Sequence, residues 1–229
     1  CGKIAEAHAE VIRSFARAAR LVATCDKELL MAKQLAERFG TKSFYDDLST
    51  MLKEEHPDVV HITTPPQSHY ELAKTCLEAG RHVFVEKPFT VNVTEAMELI
   101  DLATTNNLKL TVGNDEQFSP VALEMRHLVK SGWLGGPPTH MDVYYCYDLG
   151  DEHYARAFLK NRSHWLWPLP GQLIQNIIPH AVMKFCECMA DREGAVAPQD
   201  CTGKLLQNLG EFELKHQLRA AITHCCKTT

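Results

Sequence analysis

Short β-branched runs alternate with amphipathic stretches of helical length through the first half of this 229-residue chain. Residues 4–19 carry Ile4, Ala7, Val11, Ile12 and Phe15 on one face at helical spacing. Residues 21–25 form a short buried-type strand that ends at Asp26, and residues 27–39 form a helix stopped by Gly40. The pattern then repeats: helix 46–55, strand 59–63, helix 67–79 ended by Gly80, strand 82–85, helix 92–106 and strand 109–112. Strands joined by crossovers of helical length pair in parallel, and the helices must cover both faces of the sheet. The strands are apolar runs rather than alternating ones, as a sheet buried on both faces requires. The first domain is therefore expected to be an α/β doubly wound parallel sheet of Rossmann type.

After Gly113 the rhythm changes. A helix over 120–131 leads into a loop marked by Gly132, Gly135, Gly136 and Pro137-Pro138. Residues 139–149 alternate as a long strand of antiparallel type, followed by a loop through Trp165 and Trp167 to Pro170-Gly171. Residues 173–189 read as a helix interrupted by Pro179, and 202–208, 211–215 and 219–223 as short strands. This predicts two domains, 1–113 and 114–229, the second an α+β domain with a mostly antiparallel sheet. The chain starts at Cys1 without Met and ends on Cys225-Cys226-Lys227-Thr228-Thr229. It reads as cut at both ends, with the first strand of the sheet missing and the second sheet incomplete.

Composition narrows the function classes. A net charge of −5 and the lack of any Lys/Arg block argue against nucleic acid as a partner. No apolar run reaches the roughly 20 residues that a membrane helix needs. The nine cysteines include no C-x-x-C pair, so they read as reduced thiols in a cytoplasmic protein rather than disulfides or a zinc site. His8, His61, His153 and His164 lack metal-ligand spacing and are given structural roles. No metal is expected.

Four stretches carry candidate chemistry. Gly2-Lys3-Ile4-Ala5 supplies the second and third positions of a G-x-G-x-x-G/A turn, where pyrophosphate meets a helix N-terminus. A glycine at a frayed terminus fits Gly2 equally well. Asp26, at the end of the next strand, is placed to accept from adenosine ribose hydroxyls and to repel a 2′-phosphate. That favours NAD over NADP, which stays open; taken alone, Asp26 fits a helix cap as well. Thr63-Thr64-Pro65-Pro66-Gln67-Ser68-His69 ends one strand and Glu86-Lys87-Pro88 the next, at the sheet edge where such folds bind ligands. An ammonium at Lys87 can hydrogen-bond a substrate hydroxyl and help it lose its proton as hydride departs. A surface ion pair before a turn proline is the plainer reading of the same residues.

In this order, Gly2-Lys3-Ile4-Ala5-Glu6-Ala7-His8, Asp26, Thr64-Pro65-Pro66-Gln67-Ser68-His69 and Glu86-Lys87-Pro88-Phe89 resemble the glucose–fructose oxidoreductase/inositol dehydrogenase/MocA family. The similarity is strongest over residues 1 to about 130. The resemblance implies that Lys87 is catalytic and substrate-binding, that Glu86 lies beside the nicotinamide ribose, and that the Lys87-Pro88 bond is cis. It places Gly2, Lys3, Ile4, Asp26, Thr63, Thr64, Pro65, His69, Glu86, Lys87 and Asn114 around the nucleotide. A second domain that forms a homo-oligomer through its sheet is implied as well. The family's glycine-rich turn before an Asp and a His four residues apart corresponds here to Gly171, Asn176 and His180. Asn176 and His180 share one helix face, so His180 matches the catalytic histidine and Asn176 orients substrate. Asn176 stands in place of the usual Asp, Ile178 of a common glycine and Gln117 of a common arginine.

The expected activity is hydride transfer between nicotinamide and a secondary alcohol of a sugar, cyclitol or related polyol. A cofactor-binding regulatory module, an inactive fragment and an NAD-dependent glycosidase of the same family are the alternatives. Trp165 and Trp167 fit a sugar-pocket wall or local packing equally.

Overall fold

The computed structural model describes residues 1–136, 141–144 and 160–189. The molecule divides into two compact units, Cys1–Gly113 and Asn114–Thr229. Most of the expected 139–149 strand, and the whole of the strands expected at 202–208, 211–215 and 219–223, lie outside the described residues.

The first unit runs α1 (Lys3–Ser14), β1 (Ala23–Cys25), α2 (Leu29–Phe39), β2 (Ser43–Tyr45), α3 (Leu48–Glu55), β3 (Val59–Ile62), α4 (His69–Glu78), β4 (His82–Glu86), α5 (Val93–Thr105) and β5 (Leu110–Gly113). A 3-10 turn, Pro66–Ser68, precedes α4. Every described strand pair is parallel, as crossovers of helical length demand. The strands form two ladders, β1-β2 and β3-β4-β5. Both rest on one core, because Ala23, Cys25 and Tyr45 pack against the cluster that contains Met51, Leu52, Val83, Val85 and Leu99.

Local chemistry sets the element ends. Asp47 accepts from the Thr50 N–H at 2.7 Å and starts α3, and Asn92 accepts from the Glu95 N–H at 3.0 Å and starts α5. Gly40 closes α2 with φ 76°, a left-handed conformation that favours glycine. Cys76 in α4 is fully buried, which pushes its thiol up to about 12 and leaves it a small hydrophobe.

Three expectations needed correction. α1 buries Ala5 and Ala9, whereas Ile4, Val11 and Phe15 of the expected inner face are 48%, 56% and 61% exposed. Its small residues, not its large ones, make the inward contact. β3 alternates, with Val60 and Ile62 buried and Val59 and His61 exposed, so it is not a run buried on both faces. β2 was not foreseen; it has three residues and no apolar run, and its pairing with β1 rather than its propensity makes it a strand.

In the second unit, the 3-10 turn Asp115–Phe118 leads to α6 (Pro120–Lys130). Ser119 caps α6 by accepting from the Ala122 N–H at 3.3 Å, with Pro120 in the first turn. α7 (Gln172–Met189) runs through Pro179 without the expected interruption. Residues 141–144 form no regular element. No described helix is long and apolar enough to cross a membrane.

Candidate active site

Parallel pairing brings the carboxyl ends of β3, β4 and β5 to one edge. Ile62 is level with Val85 and Glu86 with Gly113, so Thr63, Lys87 and Asn114 follow directly at that edge. Open α/β sheets bind their ligands there. The Lys87-Pro88 peptide bond is cis, as the resemblance implied.

Two of these loops are joined by His69. Its Nε2 lies 2.8 Å from the Thr64 carbonyl oxygen, and its Nδ1 lies 2.9 Å from that of Pro88 and 3.2 Å from that of Phe89. The side chain has no exposed surface. Both ring nitrogens face backbone oxygens, and the ring holds the Thr64 turn to the Lys87-Pro88 turn. Ser68 adds a local bond, donating to the Pro65 carbonyl at 2.9 Å.

Glu86 is held at both oxygens. Its Oε2 accepts from the Lys87 backbone N–H at 3.1 Å, and its Oε1 lies 2.9 Å from His8 Nε2. A Cβ on Gly113 would sit 2.6 Å from Oε1, so the carboxylate occupies space that only glycine leaves open. His8 Nδ1 meets His61 Nδ1 at 2.9 Å, and the His61 ring stacks on Phe84 at 5.0 Å. Desolvation first, and the nearby His8 second, lower His61 to about 4, although the residue as a whole remains exposed. His8 and His61, expected to be structural, form a chain to Glu86. The contact joins His8 on α1 to Glu86 on β4, 78 positions away, a separation that no local sequence pattern encodes.

The adenosine half is built from α1 and β1. α1 starts at Gly2 in extended conformation with no side-chain cap, and open space surrounds the position of a Gly2 Cβ. Its first N–H groups therefore suit an anion such as pyrophosphate. Lys3 and Ile4 form the exposed opening of that turn. Asp26 directly follows β1 and accepts from the Glu28 N–H at 3.0 Å. The Cys1 thiol, 3.5 Å from the Cys25 carbonyl oxygen, places the Gly2 turn beside the end of β1. Asn114 Oδ1 is buried without a hydrogen-bond partner among the described residues, an acceptor open to a ligand. These features fit NAD.

In the second unit, Asn176 and His180 lie half-buried, one turn apart on α7. Gly171 precedes the helix, and a Cβ there would meet the Gln175 Cβ at 2.8 Å. Gln117 is buried, and its carbonyl accepts from Arg126 at 3.0 Å. Trp167 donates to the Asn161 carbonyl at 2.9 Å and carries Arg162 4.3 Å over its ring, beside buried Leu166 and Leu169. Local packing therefore accounts for Trp167.

Residues 1–114 match the model of an oxidoreductase family with an NAD-binding Rossmann fold, the family named for glucose–fructose oxidoreductase, inositol dehydrogenase and MocA. The chain belongs to that family through its first domain. D-glucoside 3-dehydrogenase of Escherichia coli K12 is 38% identical over 115 residues, which are 50% of this chain and 33% of that protein. Oxidoreductase P35 of Formosa agariphila is 23% identical over 219 residues, covering 90% of this chain and 66% of its own. Among solved structures, apo scyllo-inositol dehydrogenase from Lactobacillus casei superposes with a TM-score of 0.70 at 21% identity, covering 81% of this chain and 52% of that one. A dehydrogenase from Bordetella pertussis, solved with NADH and UDP-GlcNAcA, superposes with a TM-score of 0.67 at 21% identity, covering 82% and 53%. At these identities the superpositions establish the fold. The chain spans about a third of the E. coli relative and about half of these solved chains.

Proposed function

We propose that this chain carries the cofactor-binding and reacting part of an NAD-dependent dehydrogenase that oxidises a secondary alcohol of a sugar, cyclitol or related polyol. The observation that carries the reading is the position of Lys87. It directly follows β4 at the ligand-binding edge of the sheet, with Glu86 fixed beside it and the neighbouring loop fastened to Pro88 by His69. NAD, when bound, supplies the acceptor for the hydride that leaves the alcohol carbon. Gly2, Lys3 and Ile4 would hold its pyrophosphate, and Asp26 its adenosine ribose. Thr63, Thr64, Pro65 and Asn114 would line the nicotinamide side, with Glu86 at that ribose. Lys87 would hydrogen-bond the substrate hydroxyl and ease loss of its proton.

Within the second unit, the reading assigns proton relay to His180 and substrate orientation to Asn176. Imidazole suits relay near neutral pH, and an amide can orient but not act as a base. The polyol class is supported by relatives described as a D-glucoside 3-dehydrogenase and a scyllo-inositol dehydrogenase, the latter also solved with NAD(H) and scyllo-inositol. The proposal extends to assembly as a homo-oligomer through the second domain.

The test is NADH formation from NAD with a panel of cyclitols, free sugars and glycosides. A dehydrogenase yields NADH in proportion to the alcohol consumed. Release of free sugar without net NADH would instead identify a glycosidase. An NADH signal from every substrate that Lys87→Ala leaves intact would overturn the assignment.

A further inference from the structure

We propose that His8 is a positioning residue for the Glu86-Lys87 strand end: its Nε2–H holds the Glu86 carboxylate, and His61 engages its other ring nitrogen. The inference rests on the assignment of Glu86 and Lys87 to the reacting centre.

Donor counting carries it. A carboxylate oxygen accepts, so the contact of Glu86 Oε1 with His8 Nε2 at 2.9 Å places a hydrogen on that nitrogen. The contact between His8 Nδ1 and His61 Nδ1 at 2.9 Å has room for one proton. A neutral His8 accepts there from His61, and a cationic His8 donates to it. The two rings therefore cannot be cations at once. The depressed His61 value of about 4 agrees with this exclusion.

The rings are also fixed in orientation. His8 meets His61 edge-on at 5.2 Å and Phe84 edge-on at 5.2 Å, while His61 stacks on Phe84. Phe84 is two residues before Glu86 on β4, so the strand that carries the carboxylate also supports the rings that hold it. The side chains of His8 and Glu86 are 16% and 18% exposed, which shields their contact from water. His8 lies in α1, the same helix that opens at Gly2. The helix proposed to receive pyrophosphate at its first turn therefore fixes the nicotinamide-side carboxylate from its second turn.

Two substitutions separate this role from packing. Glutamine places its amide near the position of Nε2, and asparagine near that of Nδ1. His8→Gln keeps a donor for Glu86, whereas His8→Asn loses it and keeps a partner for His61. In NADH titrations of the 229-residue chain, His8→Gln is expected to bind within about twofold of the parent. His8→Asn is expected to bind roughly tenfold more weakly or worse, the worth of one hydrogen bond to a charged group. Equal weakening by the two variants overturns the positioning role. Imidazole nitrogen spectra of the unsubstituted chain without NADH, at neutral pH, test the network by themselves. They should show His8 protonated at Nε2 and His61 neutral; a neutral His8 with its proton on Nδ1 overturns the proposal. If the parent does not bind NADH, the cofactor reading fails, and the spectra still decide the network.

Discussion

The Nδ1 of His69 lies 2.9 Å from the carbonyl oxygen of Pro88, and no surface of His69 reaches solvent. A ring from the start of α4 thus fixes the residue after Lys87. His69→Ala removes this contact and the one to Thr64 and leaves a cavity. It should cost about 2–4 kcal/mol. Urea denaturation measures it, and a loss below about 0.5 kcal/mol would show that the ring does not fasten the two turns.

Lys87→Ala removes the ammonium but leaves Gly2, Asp26 and Glu86 in place. Turnover should fall by at least about a hundredfold, within the range of general acid–base contributions. The Kd for NADH should change by less than about threefold, well under the tenfold that corresponds to about 1.4 kcal/mol. Steady-state rates and a fluorescence titration of the same preparation separate the two effects.

Gly113→Ala places a Cβ 2.6 Å from Glu86 Oε1 and 3.2 Å from Phe84 Cε1. Glu86 can move only by stretching its contact with His8 or its bond from the Lys87 N–H. The substitution should therefore weaken NADH binding more than it lowers stability, where overpacking costs about 1–3 kcal/mol. An unchanged Kd would show that the Glu86 carboxylate is not held by its surroundings.

His61 gives a pH signature. Its folded-state value of about 4 lies below the 6.5 of an unperturbed histidine, so the fold favours the neutral ring. Its contribution is fully present above pH 6.5 and is lost as pH falls from 6.5 toward 4. Denaturation midpoints over that window should decline with falling pH, and His61→Phe should flatten the decline. The ring remains partly in contact with water, so the slope is expected to be shallow.

The fold was legible where pattern and punctuation agreed. Gly40 and Gly80 ended helices, and the apolar run at residues 82–85 became a central strand. β2 was not legible, because three residues without an apolar run take strand form only through pairing with β1. The face of α1 was misread because hydrophobicity marked Ile4 and Phe15, whereas close packing selected Ala5 and Ala9. At the site, order along the chain placed Thr64, Lys87 and Asn114 after successive strands. The partners of His69 and His8 were hidden, since both are contacts between elements distant in sequence whose hydrogen-bond geometry no local pattern encodes.

The central claim is that the Gly2 turn, Asp26 and the Glu86-Lys87 edge together form a nicotinamide dinucleotide site. Titration of the 229-residue chain with NADH, followed by nicotinamide fluorescence, tests it most directly. A saturable change that Asp26→Ala weakens and Lys87→Ala preserves is the expected result. A signal that does not saturate, or one indifferent to Asp26, would contradict it.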